Sequence, residues 1–147
     1  MSDPNAPADL GRLSGFRELV GYDVVTWRDA FAEVRLDIRA DHLNRMGIVH
    51  GGVYMTLLDA AMGHAATYCP EPGHTRRCVT VSLTTHFLSP ARQGAMIATG
   101  RLESIDNRIA ACRGEIHDLA GTLLMAAQAS FRYFPGSELA AGVPRKS

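Results

Sequence analysis

The chain has 147 residues, a length typical of one domain, and its 15 Lys and Arg residues balance 15 Asp and Glu residues. No basic run is longer than two residues, so the charge pattern typical of a nucleic-acid-binding protein is missing. The apolar stretch from Val53 to Tyr68 is too short to span a bilayer and contains Asp59 and His64. The N-terminus has no secretory pattern, so a cytoplasmic location is expected.

Three cysteines, Cys69, Cys78 and Cys112, form an odd number at scattered spacing. Such a pattern is typical of reduced thiols rather than of a disulfide framework. A zinc site made of Cys69, His74 and Cys78 is the alternative, but neither a CxxC pair nor an HExxH element accompanies these residues. We therefore expect buried thiols, no metal and no cofactor.

Both ends of the chain are polar and rich in Pro and Ala. Residues 1–9 and 135–147 are therefore expected to be flexible tails, and residues 10–134 to form a single domain. Phe16 and Leu19 indicate a short helix that leads to Gly21. No internal repeat or second domain is visible.

From Ala32 to Arg39 charged and apolar residues alternate, which is the pattern of a half-buried β-strand. Four further β-rich runs follow in the second half of the chain, over residues 79–90, 96–105, 109–117 and 122–133. The pair Asp106-Asn107 tolerates the positive φ angles of a tight hairpin, and a turn around Ala120-Gly121 joins the next two runs. The C-terminal half is predicted to be an antiparallel meander.

Between the first and second strands, residues 52–68 are apolar on nearly every side. This pattern predicts a helix that is buried on all sides. At 1.5 Å per residue the helix is about 25 Å long, close to the width that one sheet can wrap. Five runs of strand and one buried helix predict an α+β fold, in which an antiparallel sheet of five or six strands curls around the helix.

The segment His50-Gly51-Gly52 leads into this helix. Glycines let a ligand approach the backbone closely. The unpaired amides of a helix N-terminus, with the positive end of the dipole behind them, polarise a carbonyl oxygen and stabilise an oxyanion. For an isolated Gly-Gly pair, however, a flexible turn is the simpler interpretation.

Asp59 lies seven residues beyond Gly52, nearly two helical turns, and therefore shares the face of the helix entrance. It is the one acidic residue between Asp41 and Glu71, and the helix contains no Lys or Arg. Burying an unpaired carboxylate is costly. Functional use of Asp59 is therefore favoured over the alternative, a structural salt bridge to a distant arginine.

The segment GIVHGGVYMTLLDAAMG, followed by a Thr- and Val-rich strand that ends in FLSPA, resembles the PaaI-type branch of the hotdog-fold acyl-CoA thioesterases. The resemblance covers about residues 24–134, in the order strand, buried helix and four strands. It depends on HGG with an Asp seven residues later, on Asn44 six residues before His50, and on the strand ending in SPA.

The resemblance implies that the chain hydrolyses an acyl-CoA to the free acid and CoA. In that family the backbone amide at Gly51 or Gly52 polarises the thioester carbonyl. Asp59, reaching in from a partner subunit, acts as nucleophile or general base. Asn44 and His50 lie beside the thioester and help to orient water.

The resemblance also implies roles for the strand after the helix. Thr80 is expected to hold the attacking water. Residues expected to bind the CoA moiety are Phe87, Leu88, Ser89, Pro90, Arg92 and Arg108. The family forms homodimers with active sites at the interface, and pairs of dimers commonly form homotetramers. No nucleic acid or membrane partner is expected.

Two other functions remain as alternatives: a hotdog dehydratase or hydratase, and a non-catalytic acyl-CoA-binding module. The sequence lacks the His-containing motif of the dehydratase branches and the GxSxG elbow of α/β-hydrolases. The residues before the first strand are too few and too neutral for a DNA-binding segment. Small residues such as Ala60 and Gly63 leave room for an aryl or medium acyl chain, or serve close packing. His64 is expected to be a core or interface residue.

Overall fold

The computed structural model describes residues 15–146. Within this range the helices and strands are α1 (Gly15–Val20), β1 (Asp23–Arg28), β2 (Phe31–Asp37), α2 (Gly51–Thr67), β3 (His74–Thr75), β4 (Cys78–Phe87), β5 (Ala95–Asp106), β6 (Ile109–Asp118), β7 (Leu123–Tyr133) and β8 (Val143–Pro144). A 3₁₀ turn at Ala40–His42 lies between β2 and α2. None of the helices in this range has the length and hydropathy needed to cross a bilayer.

Six strands form one antiparallel sheet in the order β1-β2-β5-β6-β7-β4, and α2 contacts all six of them. Tight turns connect β5 to β6 and β6 to β7. Asn107 has a positive φ of 55° in the first turn, as the pair Asp106-Asn107 predicts, and Gly121 has one of 86° in the second, where the sequence predicts a turn. The predicted α+β fold is confirmed, and of the five or six strands expected the antiparallel sheet packed against the long helix has six. β1 and β4 are its two edges.

The edge strand β1 has no counterpart among the five runs that the sequence indicates. Its pairing with β2 shifts register between Val24 and Thr26, which is the mark of a β-bulge. The bulge and the adjacent pair Val24-Val25 interrupt the alternation of polar and apolar residues. The sequence of β1 therefore lacks the period-two alternation that identifies a strand, although its backbone pairs with β2 along most of its length.

Helix α2 approaches the sheet closely because two central strands carry glycine at the contact. A Cβ on Gly100 of β5 would overlap the Ala61 carbonyl oxygen. A Cβ on Gly114 of β6 would lie 3.1 Å from Leu58 Cδ2 and 3.2 Å from Met62 Cγ. Ala61, Leu58 and Met62 are completely buried. The two glycines therefore determine how deeply the helix sits on the sheet.

The opposite face of α2 differs from the prediction of a helix buried on all sides. In the single chain Gly52 and Met55 are exposed, and Asp59, Ala60 and Gly63 are half-buried. This uncovered strip runs beside the edge strand β4. The apolar composition of the helix thus exceeds what one chain needs to fill its own core.

The segment after β7 is packed, and the prediction of a flexible tail is wrong for its described part. β8 pairs with β3 as a second, two-stranded sheet. The buried guanidinium of Arg76 donates to the carbonyls of Ser137 and Glu138. These long-range bonds hold a segment whose local composition is typical of a loop. The predicted tail at residues 1–9 and the boundary at residue 10 lie outside the described residues.

Gly100→Ala is expected to lower the free energy of unfolding by about 1–3 kcal/mol, because the added methyl must displace helix backbone rather than a flexible side chain. Gly15→Ala is the matched control, since a Cβ there meets nothing within 4 Å. Urea unfolding of both variants measures the difference. Equal stabilities would contradict the close contact between α2 and β5.

Candidate active site

The loop that leads into α2 is built around Asn44. Its Oδ1 accepts hydrogen bonds from the amides of Met46 at 2.9 Å and Ile48 at 3.4 Å. The backbone N–H of Asn44 donates to the Ile48 carbonyl at 2.8 Å, and Gly47 supplies a positive φ of 71° between them. These bonds close a tight turn. The turn brings the chain back to His50 at the start of the helix.

His50 is the N-cap residue of α2. Its Nδ1 accepts a hydrogen bond from the Gly52 amide at 2.9 Å. Because an accepting ring nitrogen carries no proton, the imidazole is the Nε2–H tautomer. The Gly52 amide is thus already engaged, whereas the Gly51 amide has no acceptor within residues 15–146. Of the two glycines singled out in the sequence, Gly51 carries the available donor.

A cavity of about 280 Å³ opens beside the Gly51 amide. Residues 87–90 of the predicted set line it, and so does Asn44. The Phe87 ring is so close that a Cβ on Gly51 would lie 3.1 Å from its Cε1 atom. Because Gly51 has no side chain, its amide and the Phe87 ring lie side by side in the same wall of the cavity.

Tyr54 belongs to the same cavity, although the sequence motif does not single it out. Its ring meets Phe87 edge-on with centroids 6.1 Å apart, and its hydroxyl oxygen accepts from the Ala91 amide at 3.0 Å. Burial raises the pKa of the Tyr54 phenol above its ordinary value, while the Ala91 bond lowers it. Its spacing of three residues after Gly51, on the same helix face, is the signal that would have identified it.

Asp59 lies in a second groove, of about 400 Å³, between α2 and β4. The Thr80 hydroxyl donates a hydrogen bond of 2.6 Å to Asp59 Oδ1, a length typical of a bond to a carboxylate. No ion pair within residues 15–146 involves Asp59. The structure thus shows a half-buried carboxylate held by a hydroxyl, not the structural salt bridge that was the alternative.

Asp59 and Gly51 contribute to different cavities of the single chain. Their separation of eight positions corresponds to about 12 Å along the helix axis. No residue lines both cavities. A carbonyl oxygen bound to the Gly51 amide therefore lies beyond the reach of the Asp59 carboxylate in the same chain.

The two arginines predicted to bind CoA lie at opposite ends of the sheet. Arg92 Nη1 donates to the carbonyls of Met46 at 3.2 Å and Gly47 at 3.3 Å, so it braces the loop before α2. Arg108 lies in the β5–β6 turn, where its carbonyl accepts from the Tyr133 amide at 2.9 Å. Tyr133 pairs with the first residue of β4. The structure does not bring Arg92 and Arg108 together within one chain.

His64 packs against β1. Its ring meets Trp27 edge-on with centroids 5.1 Å apart, and Trp27 Nε1 donates to the His64 carbonyl at 2.8 Å. Burial lowers the pKa of the His64 imidazole, which favours its neutral form. These contacts agree with the prediction that His64 is a core or interface residue.

The three cysteines are free thiols. Burial, with the negative charge of Asp59 second, raises the pKa of Cys78 to about 11. Cys69 Sγ and His74 Nδ1 both contact the Ala141 carbonyl, at 3.5 and 2.8 Å. Two of the three residues weighed as zinc ligands are thus engaged with the backbone of the C-terminal segment.

Residues 46–125, more than half of the chain, match the family model described as the thioesterase superfamily. The chain belongs to the thioesterase superfamily. The matched range contains the helix entrance, Asp59, Thr80 and residues 87–90. The family resemblance predicted from the HGG motif is therefore confirmed.

Known proteins show how far this superfamily member resembles its relatives. "Putative esterase PA0474" of Pseudomonas aeruginosa is 29% identical over 138 residues, which cover 92% of this chain and 99% of that protein. The structure of conserved protein PA5202, also from Pseudomonas aeruginosa, has a TM-score of 0.77 at 28% identity and covers 87% of this chain and 100% of that one. The Escherichia coli PaaI protein from the phenylacetic acid degradation operon has a TM-score of 0.73 at 20% identity, over 82% and 85% of the chains.

The likeness to PaaI shows a shared hotdog fold. Membership of the thioesterase superfamily and the esterase relative together indicate hydrolase activity. The Gly51 amide and the Thr80-held Asp59 both lie inside the range that matches the superfamily model.

Proposed function

We propose that the chain is an acyl-CoA thioesterase, which hydrolyses an acyl-CoA to the free acid and CoA. One arrangement on α2 carries the proposal: the unpaired Gly51 amide at its N-terminus and the Thr80-held Asp59 carboxylate on its uncovered face. The amide suits a carbonyl oxygen that becomes negative, and the carboxylate suits activation of water or direct attack. A thioester is an activated acyl group, so these two groups suffice without a Ser triad.

In this proposal the two groups come from two chains. β4 is an edge strand on which Val79 is 51% and Val81 58% exposed. An uncovered apolar edge favours pairing with another strand. Antiparallel pairing of β4 with β4 of a second copy is isologous, because each chain offers the same surface to the other. We propose a homodimer built on this pairing, and pairs of dimers that form homotetramers.

The pairing places opposite ends of the two β4 strands side by side. Ten residues of strand span about 33 Å, with Thr80 near the start of β4 and Phe87 at its end. Thr80 binds Asp59, and Phe87 lines the same cavity as Gly51. A two-fold axis near the middle of β4 therefore brings Asp59 of the partner subunit toward Gly51 and completes two equal sites per dimer.

Hydrolysis in this site proceeds through a tetrahedral intermediate. The thioester oxygen accepts a hydrogen bond from the Gly51 amide, and the positive end of the α2 dipole stabilises the developing negative charge. Asp59 of the partner subunit either takes a proton from the water that attacks the carbonyl carbon or attacks that carbon itself. In the first route the C–S bond breaks, the free acid forms, and the proton held by Asp59 passes to the departing CoA thiolate. In the second route the C–S bond breaks to leave an acyl-Asp59 anhydride and a CoA thiolate, which takes up a proton from water; a water molecule then hydrolyses the anhydride, which releases the free acid and restores the Asp59 carboxylate.

The neighbouring residues keep the two reacting groups in place. Thr80 donates to Asp59 Oδ1, which leaves Oδ2 for the reaction. His50 occupies the Gly52 amide, so Gly51 alone donates to the substrate. Asn44 uses its Oδ1 to shape the loop, and its side-chain NH₂ group remains a donor beside the thioester.

The cavity beside Gly51 is proposed to hold the acyl group. Its walls include Tyr54 and residues 87–90, and its volume of about 280 Å³ suits an aryl group or a medium acyl chain. The family resemblance predicts that residues 87–90 bind the CoA moiety, whereas in this proposal they bind the acyl end of the substrate. Three free thiols fit a reducing compartment, and we place the enzyme in the cytoplasm.

Asp59→Asn is expected to lower kcat for acyl-CoA hydrolysis by about 10²–10⁴-fold, because the amide is neither a base nor a nucleophile. The variant keeps the shape of the side chain, so the dimer is expected to remain folded. Thiol release from short, medium, long and aromatic acyl-CoAs measures turnover. Hydrolysis of none by the unmodified chain contradicts the enzyme proposal, and full activity of the variant contradicts the role of Asp59.

Gly51→Pro removes the donor N–H at a position where proline is tolerated. Gly51 is the first helical residue, and His50 has the extended conformation that precedes proline, with φ −63° and ψ 138°. The kcat is expected to fall by about 10²–10³-fold. Gly51→Ala is the control, because it brings a Cβ toward Phe87 in the same way but keeps the N–H. Equal losses in both variants would show that the ring contact, not the donor, matters.

A further inference from the structure

The C-terminal segment is held in a fixed position by the buried Arg76. Its guanidinium donates to the carbonyls of Ser137 at 2.9 Å, Tyr68 at 3.1 Å and Glu138 at 3.3 Å. It also lies over the Tyr133 ring, 5.0 Å from the centroid. One cation thus joins the end of α2, the end of β7 and the segment that follows.

The pairing of β3 with β8 extends this attachment to the last described residues. His74 pairs with Pro144, and the Arg145 amide donates to the Gly73 carbonyl at 2.9 Å. Gly142 has a positive φ of 61° and packs against the Thr75 carbonyl, where a side chain would not fit. The segment therefore forms a fixed wall.

A cleft of about 770 Å³ lies between this wall and the start of β4. Three cationic residues, Arg77, Arg145 and Lys146, line it, and none of its lining residues is acidic. The chain as a whole has no net charge, so the positive charge of the cleft is a local concentration. Arg108, in the β5–β6 turn, lies at the same end of the sheet.

The cleft adjoins the groove that contains Asp59. Arg77 and Phe134 line both spaces. Arg77 precedes Thr80 by three residues of nearly extended chain, which corresponds to about 10 Å. A ligand that reaches Asp59 from this side therefore passes directly over the cationic residues.

We propose that this cleft binds the adenine nucleotide of CoA, with its diphosphate and 3′-phosphate on Arg77, Arg145 and Lys146. The inference rests on the proposed thioesterase function and names the phosphate partners of its substrate. Several phosphate charges match several cations. The extended pantetheine arm is longer than the separation between Thr80 and Arg77, so it connects the nucleotide to the thioester along the Asp59 groove.

Phe134 provides a surface for the adenine ring. This residue is 46% exposed, and the Arg77 guanidinium lies 5.3 Å from the ring centroid. An exposed aromatic ring beside cations is the combination that binds a base and its phosphates. In this arrangement the acyl group and the nucleotide occupy opposite ends of the composite site, one cavity from each subunit.

The test compares two thioesters of the same acyl group, one of CoA and one of N-acetylcysteamine, which lacks the nucleotide. The double variant Arg77→Gln/Lys146→Gln is expected to raise KM for the CoA thioester about tenfold or more, with kcat unchanged. Its kcat/KM for the truncated thioester is expected to stay at the original value. Arg35→Gln/Arg113→Gln, which removes two exposed cations elsewhere on the sheet, is the matched control.

Equal effects of the double variant on both thioesters, or no effect on either, would overturn the cleft proposal while leaving the thioesterase function intact. Binding of adenosine 3′,5′-bisphosphate, measured by calorimetry, is independent of turnover. We expect binding to the unmodified chain and a loss of about tenfold in affinity for Lys146→Glu, whose exposed position spares the fold. Absence of binding to the unmodified chain would also overturn the proposal.

Discussion

The close contact between helix α2 and the middle of the sheet is the constraint on which the rest of the structure depends. Gly100 and Gly114 let the helix backbone reach the strands, and the completely buried Ala61 lies at the contact. This contact fixes the height and rotation of the helix. It therefore fixes the Gly51 amide beside Phe87 and the Asp59 carboxylate beside Thr80, which is the preorganisation that the proposed electrostatic catalysis requires.

A rigid helix also prevents the two groups from meeting within one chain. They lie about 12 Å apart along the axis, and the strip that joins them is uncovered. The exposed valines of β4 and the excess apolar surface of α2 would be liabilities in a monomer. In the proposed dimer both of these apolar surfaces are buried. The two-fold axis brings Asp59 of one subunit close to Gly51 of the other.

The core of the fold was predictable because several local signals agree. The apolar run of α2, the alternation in β2 and the turn residues at Asn107 and Gly121 each indicate the element that the structure contains. β1 was not predictable, because a bulge between Val24 and Thr26 interrupts its alternation of polar and apolar residues. The C-terminal segment was mispredicted because the bonds that hold it come from Arg76, sixty-one positions before Ser137, and composition does not record such contacts.

The residues of the candidate site could be proposed from the sequence, but the hydrogen bonds between them could not. The spacing of His50, Gly51 and Asp59 identified the helix face. Only side-chain geometry shows that His50 occupies the Gly52 amide and that Thr80 donates to the carboxylate. In the sequence Tyr54 resembled an ordinary core residue and Arg77 resembled an ordinary exposed charge. The cavities that these two residues line are formed by segments distant in the sequence, so local patterns do not reveal them.

The division of the site between two chains is tested most directly by combining two inactive chains. Asp59→Asn and Gly51→Pro chains, carrying different affinity tags, are co-expressed and the mixed dimer is isolated. One of its two sites then has an intact Gly51 amide and an intact Asp59, so about half of the original activity per dimer is expected. A mixed dimer as inactive as its parents would contradict the account, since a site formed within one chain leaves both sites damaged.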